Sequence, residues 1–240
     1  MKFCLSSFKD FKNILMTAEL VMNEIKFEVD NDGLRLKGMD GGKTSFFSAD
    51  FKREYFDEYS IDAPETITVD ASELNKVMKR IKNTDEVCAT INNEGMSLRV
   101  NGTKTFKINA LNSDMDTPNL PNMEFPVKAI VDFEDFKDSV NDSKLYSDAF
   151  SIESRDGNIM VSANGVLGDY ESELLVGDEI VDGCKSVFRS DLIISFFKLG
   201  DLSDRVNVNM GTNFPILMVV TDELDEATVK LLVAPRIEEY

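Results

Sequence analysis

The chain has 240 residues, 42% of them hydrophobic, with a formal net charge of −18 and a sequence pI near 4.4. That length accommodates one large domain or two of about 110–120 residues, and the apolar share excludes a chain disordered by composition. The acidic surplus excludes a protein coated in nucleic acid unless its Lys and Arg gather on one surface. In chain order, Met1–Ser7 lacks the apolar core of a signal peptide, and no stretch is long enough to span a membrane. Ser7-Phe8-Lys9-Asp10 has the Ser-x-x-acid pattern of a helix start, and Phe8, Phe11, Leu15, Ala18 and Met22 then recur at three- and four-residue steps. The period changes to two at Ile25, Phe27 and Val29; Asp32-Gly33 supplies a turn, Leu34 to Asp40 forms the partner strand, and Thr44–Phe51 resumes after Gly41-Gly42. Asp70-Ala71-Ser72-Glu73 can cap a second helix with a core stripe of Leu74, Val77, Met78 and Ile81. Its other side carries Lys76, Lys79 and Arg80 at i, i+3 and i+4, with Lys82 at the end. Strands near Glu86–Ile91, Met96–Val100 and Thr103–Leu111 close this half.

Residues 114–126 hold prolines 118, 121 and 126. Proline removes a donor and biases its predecessor toward extended geometry, so this is a connector between domains at 1–113 and 127–240. The second half repeats the first. Phe133-Glu134-Asp135-Phe136-Lys137 echoes Phe8-Lys9-Asp10-Phe11-Lys12, Asp132-x-x-Asp135 stands where Ser7-x-x-Asp10 stood, and Asp156-Gly157 matches Asp32-Gly33. Ser190-Asp191-Leu192 matches Ser72-Glu73-Leu74, with Ile193, Phe196 and Phe197 as an apolar face, and Val206–Met210, Phe214–Val220 and Val229–Val233 read as strands. Each half is α+β, with helices on one side of a mostly antiparallel sheet.

Three further stretches, taken with the duplication, carry a family resemblance. Leu231-Leu232-Val233-Ala234-Pro235-Arg236-Ile237-Glu238, Gly33–Asp40 and Ala163–Asp169 stand in the order and spacing of the sliding clamps, and Phe56-Asp57-Glu58-Tyr59 also fits. The chain resembles the proliferating cell nuclear antigen family in its archaeal form. The resemblance implies two similar clamp domains and a ring-shaped trimer that encircles double-stranded DNA. It implies a processivity factor without catalysis or cofactor, cytoplasmic and nucleoid-associated, which tethers DNA polymerase and is served by a clamp loader. It also implies Lys12, Lys107 and Lys198 beside Lys76, Lys79, Arg80 and Lys82 on the DNA-facing side. Ligase, flap endonuclease and polymerase would dock short peptide motifs on Met39, Lys43, Thr44, Leu120, Phe125, Pro215, Ala234, Pro235, Arg236 and Ile237. Ring closure would pair Thr103–Leu111 of one subunit with Tyr170–Val176 of the next. The pattern departs from the family where Glu19 holds a position often basic, and where Glu134, Asp135 and Asp138 face Lys137 and Asp191 opens the fourth helix.

Blander readings of the same residues remain. Lys76, Lys79 and Arg80 also suit a solvated helix face, the prolines an inert linker, and Phe196-Phe197 a core. A second functional class is an acidic clamp-like protein that mimics DNA charge and binds replication proteins without encircling DNA. With no histidine, neither a Ser-His-Asp triad nor a Cys-His pair can be built, and no Gly-rich phosphate loop ends in Lys-Ser/Thr. Cys4, Cys88 and Cys184 lie far apart with no CxxC, which argues against zinc and for thiols in a reduced compartment. Glu28, Asp30, Asp32 and Gly33 superficially resemble a calcium loop, but Met39 occupies the place of its closing Glu. Asn101-Gly102-Thr103 and Asn141-Asp142-Ser143 match glycosylation sequons only by pattern.

Overall fold

The computed structural model describes residues 1–112, 119–166 and 168–236, so the expectations for 114–118, Leu167 and Ile237 lie outside the described residues. The first elements in chain order are β1 (Lys2–Leu5), α1 (Lys9–Val21), β2 (Glu24–Val29), β3 (Gly33–Met39), β4 (Ser45–Lys52), β5 (Glu58–Ser60) and β6 (Glu65–Asp70). Next come α2 (Ala71–Met78), β7 (Val87–Asn92), β8 (Gly95–Val100) and β9 (Lys104–Asn109). The remainder are β10 (Val127–Asp132), α3 (Phe133–Ser143), β11 (Ala149–Arg155), β12 (Asn158–Gly165), β13 (Gly168–Leu174), β14 (Lys185–Arg189), α4 (Ser190–Phe196), β15 (Arg205–Met210), β16 (Ile216–Thr221) and β17 (Ala227–Val233). They form two compact units, Met1–Leu120 with Thr221–Val229, and Pro121–Val220 with the residues from Lys230 on. Thr221–Val229, which the sequence repeat counts with the C-terminal half, sits in the first unit. There the Glu226 carbonyl accepts the Lys52 amide at 2.8 Å and Asp225 pairs with Lys52 Nζ at 2.7 Å.

The first unit holds a five-stranded sheet ordered β5-β1-β7-β8-β9 and a run β4-β3-β2-β6. The second holds the sheet β13-β12-β11-β14 and a run β10-β15-β16-β17. Position for position, β1-β7-β8-β9 corresponds to β10-β15-β16-β17 and β4-β3-β2-β6 to β13-β12-β11-β14, so the duplication read from Phe8–Lys12 and Phe133–Lys137 extends to strand order. Sequence reading passes over β1, β6, β10 and β14. Of these, β10 alternates buried Val127, Ala129 and Val131 with exposed Lys128, Ile130 and Asp132, a period-two signal.

Each core lies between helices and sheets. In the first unit the Phe11 ring on α1 lies 5.5 Å from Phe3 and 4.9 Å from Phe51, and all three rings are buried. In the second, Phe197 meets Phe133 at 5.8 Å and Phe136 at 5.4 Å, so Phe196 and Phe197 belong to the core. Two of the expected caps form: the Asp70 carboxylate accepts the Glu73 amide and Asp132 accepts that of Asp135. The Ser7 cap does not. Helix α1 has Phe8 at its N-cap with no side-chain bond, and Ser7 Oγ instead donates to the Asn83 carbonyl at 3.5 Å.

The cysteine reading also needs correction. Cys4 and Cys88 form a disulfide, and Cys184 is the free thiol among the described residues. They are 84 positions apart in sequence, but antiparallel pairing of β1 with β7 sets Cys4 directly opposite Cys88. Only strand register brings them together. At the calcium-like stretch, the Asp30 carboxylate instead accepts the amides of Asp32 and Gly33 and the Arg35 guanidinium. No helix among the described residues is long and apolar enough to cross a membrane.

Candidate nucleic-acid interface and docking surface

The expected cationic face is built on α2 and the turn after it. Helix α2 buries Ala71, Leu74, Asn75 and Met78, and ends at Met78 rather than continuing through Lys82. Lys79 is its C-cap, the Arg80 amide reaches only the Val77 carbonyl and the Ile81 amide that of Met78, so the last turn tightens. Lys79, Arg80 and Lys82 therefore project from a turn, exposed to solvent. Among the described residues neither Lys79 nor Arg80 has an ion-pair partner, which leaves both cations available to an external anion. Lys76, one turn earlier, is paired with Glu73 Oε1 at 2.5 Å; that hydrogen bond, then the carboxylate's charge, raises the ammonium's pKa.

Lys12 serves a different purpose from the one expected. Its Nζ donates to the Ile81 carbonyl at 2.7 Å and to Asn83 Oδ1 at 3.3 Å, so its charge satisfies groups left open where α2 ends. Glu19 accepts from Asn75 Nδ2 at 2.7 Å and makes a second tie between α1 and α2. The acid at an expected basic position is thus a packing device.

Lys107 is not brought to the helix side. On β9 the buried Ile108 and half-buried Phe106 share the face of Phe3, whose ring touches Phe11 on α1. Side chains alternate along a strand, so Lys107 projects from the opposite face, level with Ser97 on β8. The helix-side cation of this strand is Lys104, which sequence reading did not single out. Lys104 lies close enough to Asp85 for its charge to help depress that carboxyl, after hydrogen bonds from the Lys82 amide and Asn101. Counting every second residue back from Ile108 would have found it.

In the second unit, Lys198 follows α4 and is exposed. The neighbouring helix surface is anionic. Helix α3 exposes Glu134, Asp135, Asp138 and Asp142, its Lys137 is paired with Glu134 at 2.6 Å, and Lys144 is paired with Asp191 at 3.2 Å. Hydrogen bonds from Lys144 and then Arg189 hold the Asp191 carboxyl below its ordinary range. Unpaired helix-side cations are thus concentrated in the first unit, around Lys79, Arg80, Lys82 and Lys104.

The expected docking residues fall on both units. On the first, Met39 ends β3 and is half-buried, while Lys43 and Thr44 are exposed on a turn held by Asp40, whose carboxylate accepts the amides of Gly42 and Thr44 and the Thr44 hydroxyl. Lys43 adopts φ 55°, and Leu120 is half-buried next to exposed Asn119, which accepts from Lys37 Nζ at 3.2 Å. On the second, the half-buried Phe125 ring packs edge-on against Phe214 at 5.6 Å. Pro215, Ala234 and Pro235 are also half-buried, and the Arg236 amide donates to the Val187 carbonyl at 2.7 Å. Phe214 is the member that sequence reading missed; an aromatic immediately before Pro215 was its only signal.

A duplicated helix-and-sheet unit with an exposed cationic turn and no metal-ligating cluster among the described residues defines a clamp-type binding protein. Comparisons with known proteins agree. The family model "Proliferating cell nuclear antigen, N-terminal domain" matches residues 4–121. A protein named DNA polymerase sliding clamp from Methanothermobacter thermautotrophicus is 31% identical over 232 residues, covering 94% of this chain and 95% of that one. Its namesake from Methanobrevibacter smithii is 30% identical over 220 residues, covering 91% and 90%. Among solved structures, A. fulgidus PCNA bound to the C-terminal region of FEN-1 superposes with TM-score 0.90 at 22% identity, covering 100% of this chain and 99% of that one. A PCNA2–PCNA3 complex from Sulfolobus tokodaii gives 0.86 at 25% identity, covering 99% and 100%. The chain belongs to the proliferating cell nuclear antigen family of DNA polymerase sliding clamps.

Proposed function

We propose that this chain is a DNA polymerase processivity factor. It assembles with further copies into a trimeric ring around double-stranded DNA and tethers polymerase, clamp loader, ligase and flap endonuclease, with no turnover of its own. The observation that carries the reading is kinship along nearly the whole length with proteins named DNA polymerase sliding clamp. A sliding tether needs attraction to phosphates without base readout, because base-specific contacts would halt it. Lys79, Arg80, Lys82 and Lys104, with Lys76 and Lys198, supply that kind of charge. Lys12 supports the turn from behind. The anionic surface of α3 limits how tightly the ring grips, but encirclement needs little affinity.

Partner peptides are assigned to the apolar surface of Phe125, Phe214, Pro215, Ala234 and Pro235, where an aromatic anchor would find an edge-on ring and two rigid prolines. Met39, Lys43, Thr44, Leu120, Arg236 and Ile237 are assigned to partners by the resemblance alone. The decisive experiment is DNA synthesis on a primed closed circular template, with polymerase and clamp loader from an archaeal relative. A clamp lengthens the products and loses the effect when the template is linear with free ends. An acidic decoy shortens the products on both templates, and that outcome would replace this reading.

A further inference from the structure

The correction to Lys107 leaves a cation on the outer face of a sheet edge, and the edge strands as a pair show what it fits. Among the described strands, β9 ends the five-stranded sheet of the first unit and β13 ends the four-stranded sheet of the second, so each presents unpaired backbone groups. On β9 the outer face carries Thr105, Lys107 and Asn109, while Phe106 and Ile108 point to the helix side. On β13 the outer face carries exposed Asp169, Glu171 and Glu173. Its helix side carries Tyr170 and buried Leu174, and the Tyr170 ring stacks on Tyr146, just beyond α3, at 6.1 Å. Leu145, beside Tyr146, is 74% exposed, which leaves apolar surface at this edge uncovered.

We propose that Lys107 is a subunit-contact residue: β9 of one copy adds antiparallel to β13 of a second copy, with Lys107 against the Asp169–Glu171–Glu173 row and Phe106 and Ile108 against Tyr170 and Leu174. This rests on the ring reading and adds what selects the pairing. Strand addition provides backbone hydrogen bonds, and the alternating side chains provide specificity. Register follows, because a slip of one residue would set Lys107 among apolar groups and Ile108 among carboxylates. Direction follows as well. Two β13 edges would oppose three carboxylates to three, so like edges repel and only head-to-tail pairing, the heterologous kind that closes rings, is favoured. The β13 carboxylates are partly engaged already. Arg155 pairs with Glu171 at 2.9 Å and Asn158 donates to Glu173 at 2.8 Å, which leaves a net negative row for Lys107 to meet.

The test is molar mass in solution by light scattering as a function of protein concentration, at about 0.05 and 0.5 M salt, where screening lengths differ severalfold. Lys107→Glu should raise the concentration at which rings fall to single chains by about tenfold or more, since like charges then meet across the edge. Glu171→Lys with Glu173→Lys should do the same, and combining the changes on both edges should restore assembly. Assembled rings whose midpoint is insensitive to these changes and to salt would overturn the proposal while leaving the ring intact. Single chains at every concentration and salt, in the unaltered protein, would instead overturn the ring reading beneath it.

Discussion

Lys12 separates two roles that the resemblance merges. Replacing Lys12 by Met keeps most of the aliphatic stem and deletes the ammonium that holds the Ile81 carbonyl at 2.7 Å and Asn83 Oδ1 at 3.3 Å. A hydrogen bond from a charged donor contributes about 1.5–3 kcal/mol when shielded, and the half-buried position of Lys12 reduces this to about 1–2 kcal/mol. With a urea dependence of about 1–3 kcal/mol per molar, the unfolding midpoint of the first unit should drop by about 0.5–1 M. Because those two acceptors lie where α2 ends, backbone amides from Lys79 to Asn83 should also exchange faster with solvent. Urea unfolding followed by circular dichroism, with hydrogen exchange on the same protein, measures both. An unchanged midpoint and unchanged exchange, together with a collapse of processive synthesis, would refute the argument and return Lys12 to direct phosphate contact.

Changing Lys76, Lys79 and Arg80 together to Glu should weaken duplex binding and flatten its salt dependence, by a slope of about 0.9 for each phosphate no longer neutralised; fluorescence anisotropy against salt measures it. Phe125→Ala with Phe214→Ala should weaken binding of polymerase- and nuclease-derived peptides at least tenfold by calorimetry while the molar mass of the ring is unchanged. Reducing Cys4–Cys88, which closes a loop of 84 positions, should lower the stability of the first unit by about 2–4 kcal/mol, with two further thiols appearing on alkylation and mass spectrometry. The Asp85 carboxyl is held below its reference value of 3.8 by the Lys82 amide, Asn101 and the nearby Lys82 and Lys104 charges. A depressed carboxyl stabilises the fold above its unfolded pKa and loses that contribution as pH falls through its folded one. Stability should therefore decline below about pH 4, and Asp85→Asn should shallow that decline in acid titrations followed by circular dichroism.

How much was legible in the chain depended on the range of the interaction. Caps at Asp70 and Asp132 are local: the carboxylate meets an amide three residues on, so the sequence pattern contains both partners. At Ser7 the same pattern failed because a distant acceptor, the Asn83 carbonyl, took the hydroxyl. The docking surface was read from a family pattern, which named Phe125 and Pro215 but not the Phe214 ring that packs on Phe125.

By itself the sequence determined the repeat, the helical faces around Phe11 and Phe136, the period-two strands and the kinship, since hydrophobic spacing and residue order are carried along one dimension. Tertiary structure alone decided that Cys4 faces Cys88, that Lys12 terminates α2, that Thr221–Val229 joins the first unit, and that Lys107 projects from the outer face of its strand. Each of those depends on strand register or on contact between segments some 65 to 175 positions apart. A single-residue shift in register would turn every side chain of a strand to its other face, so no local pattern can settle it.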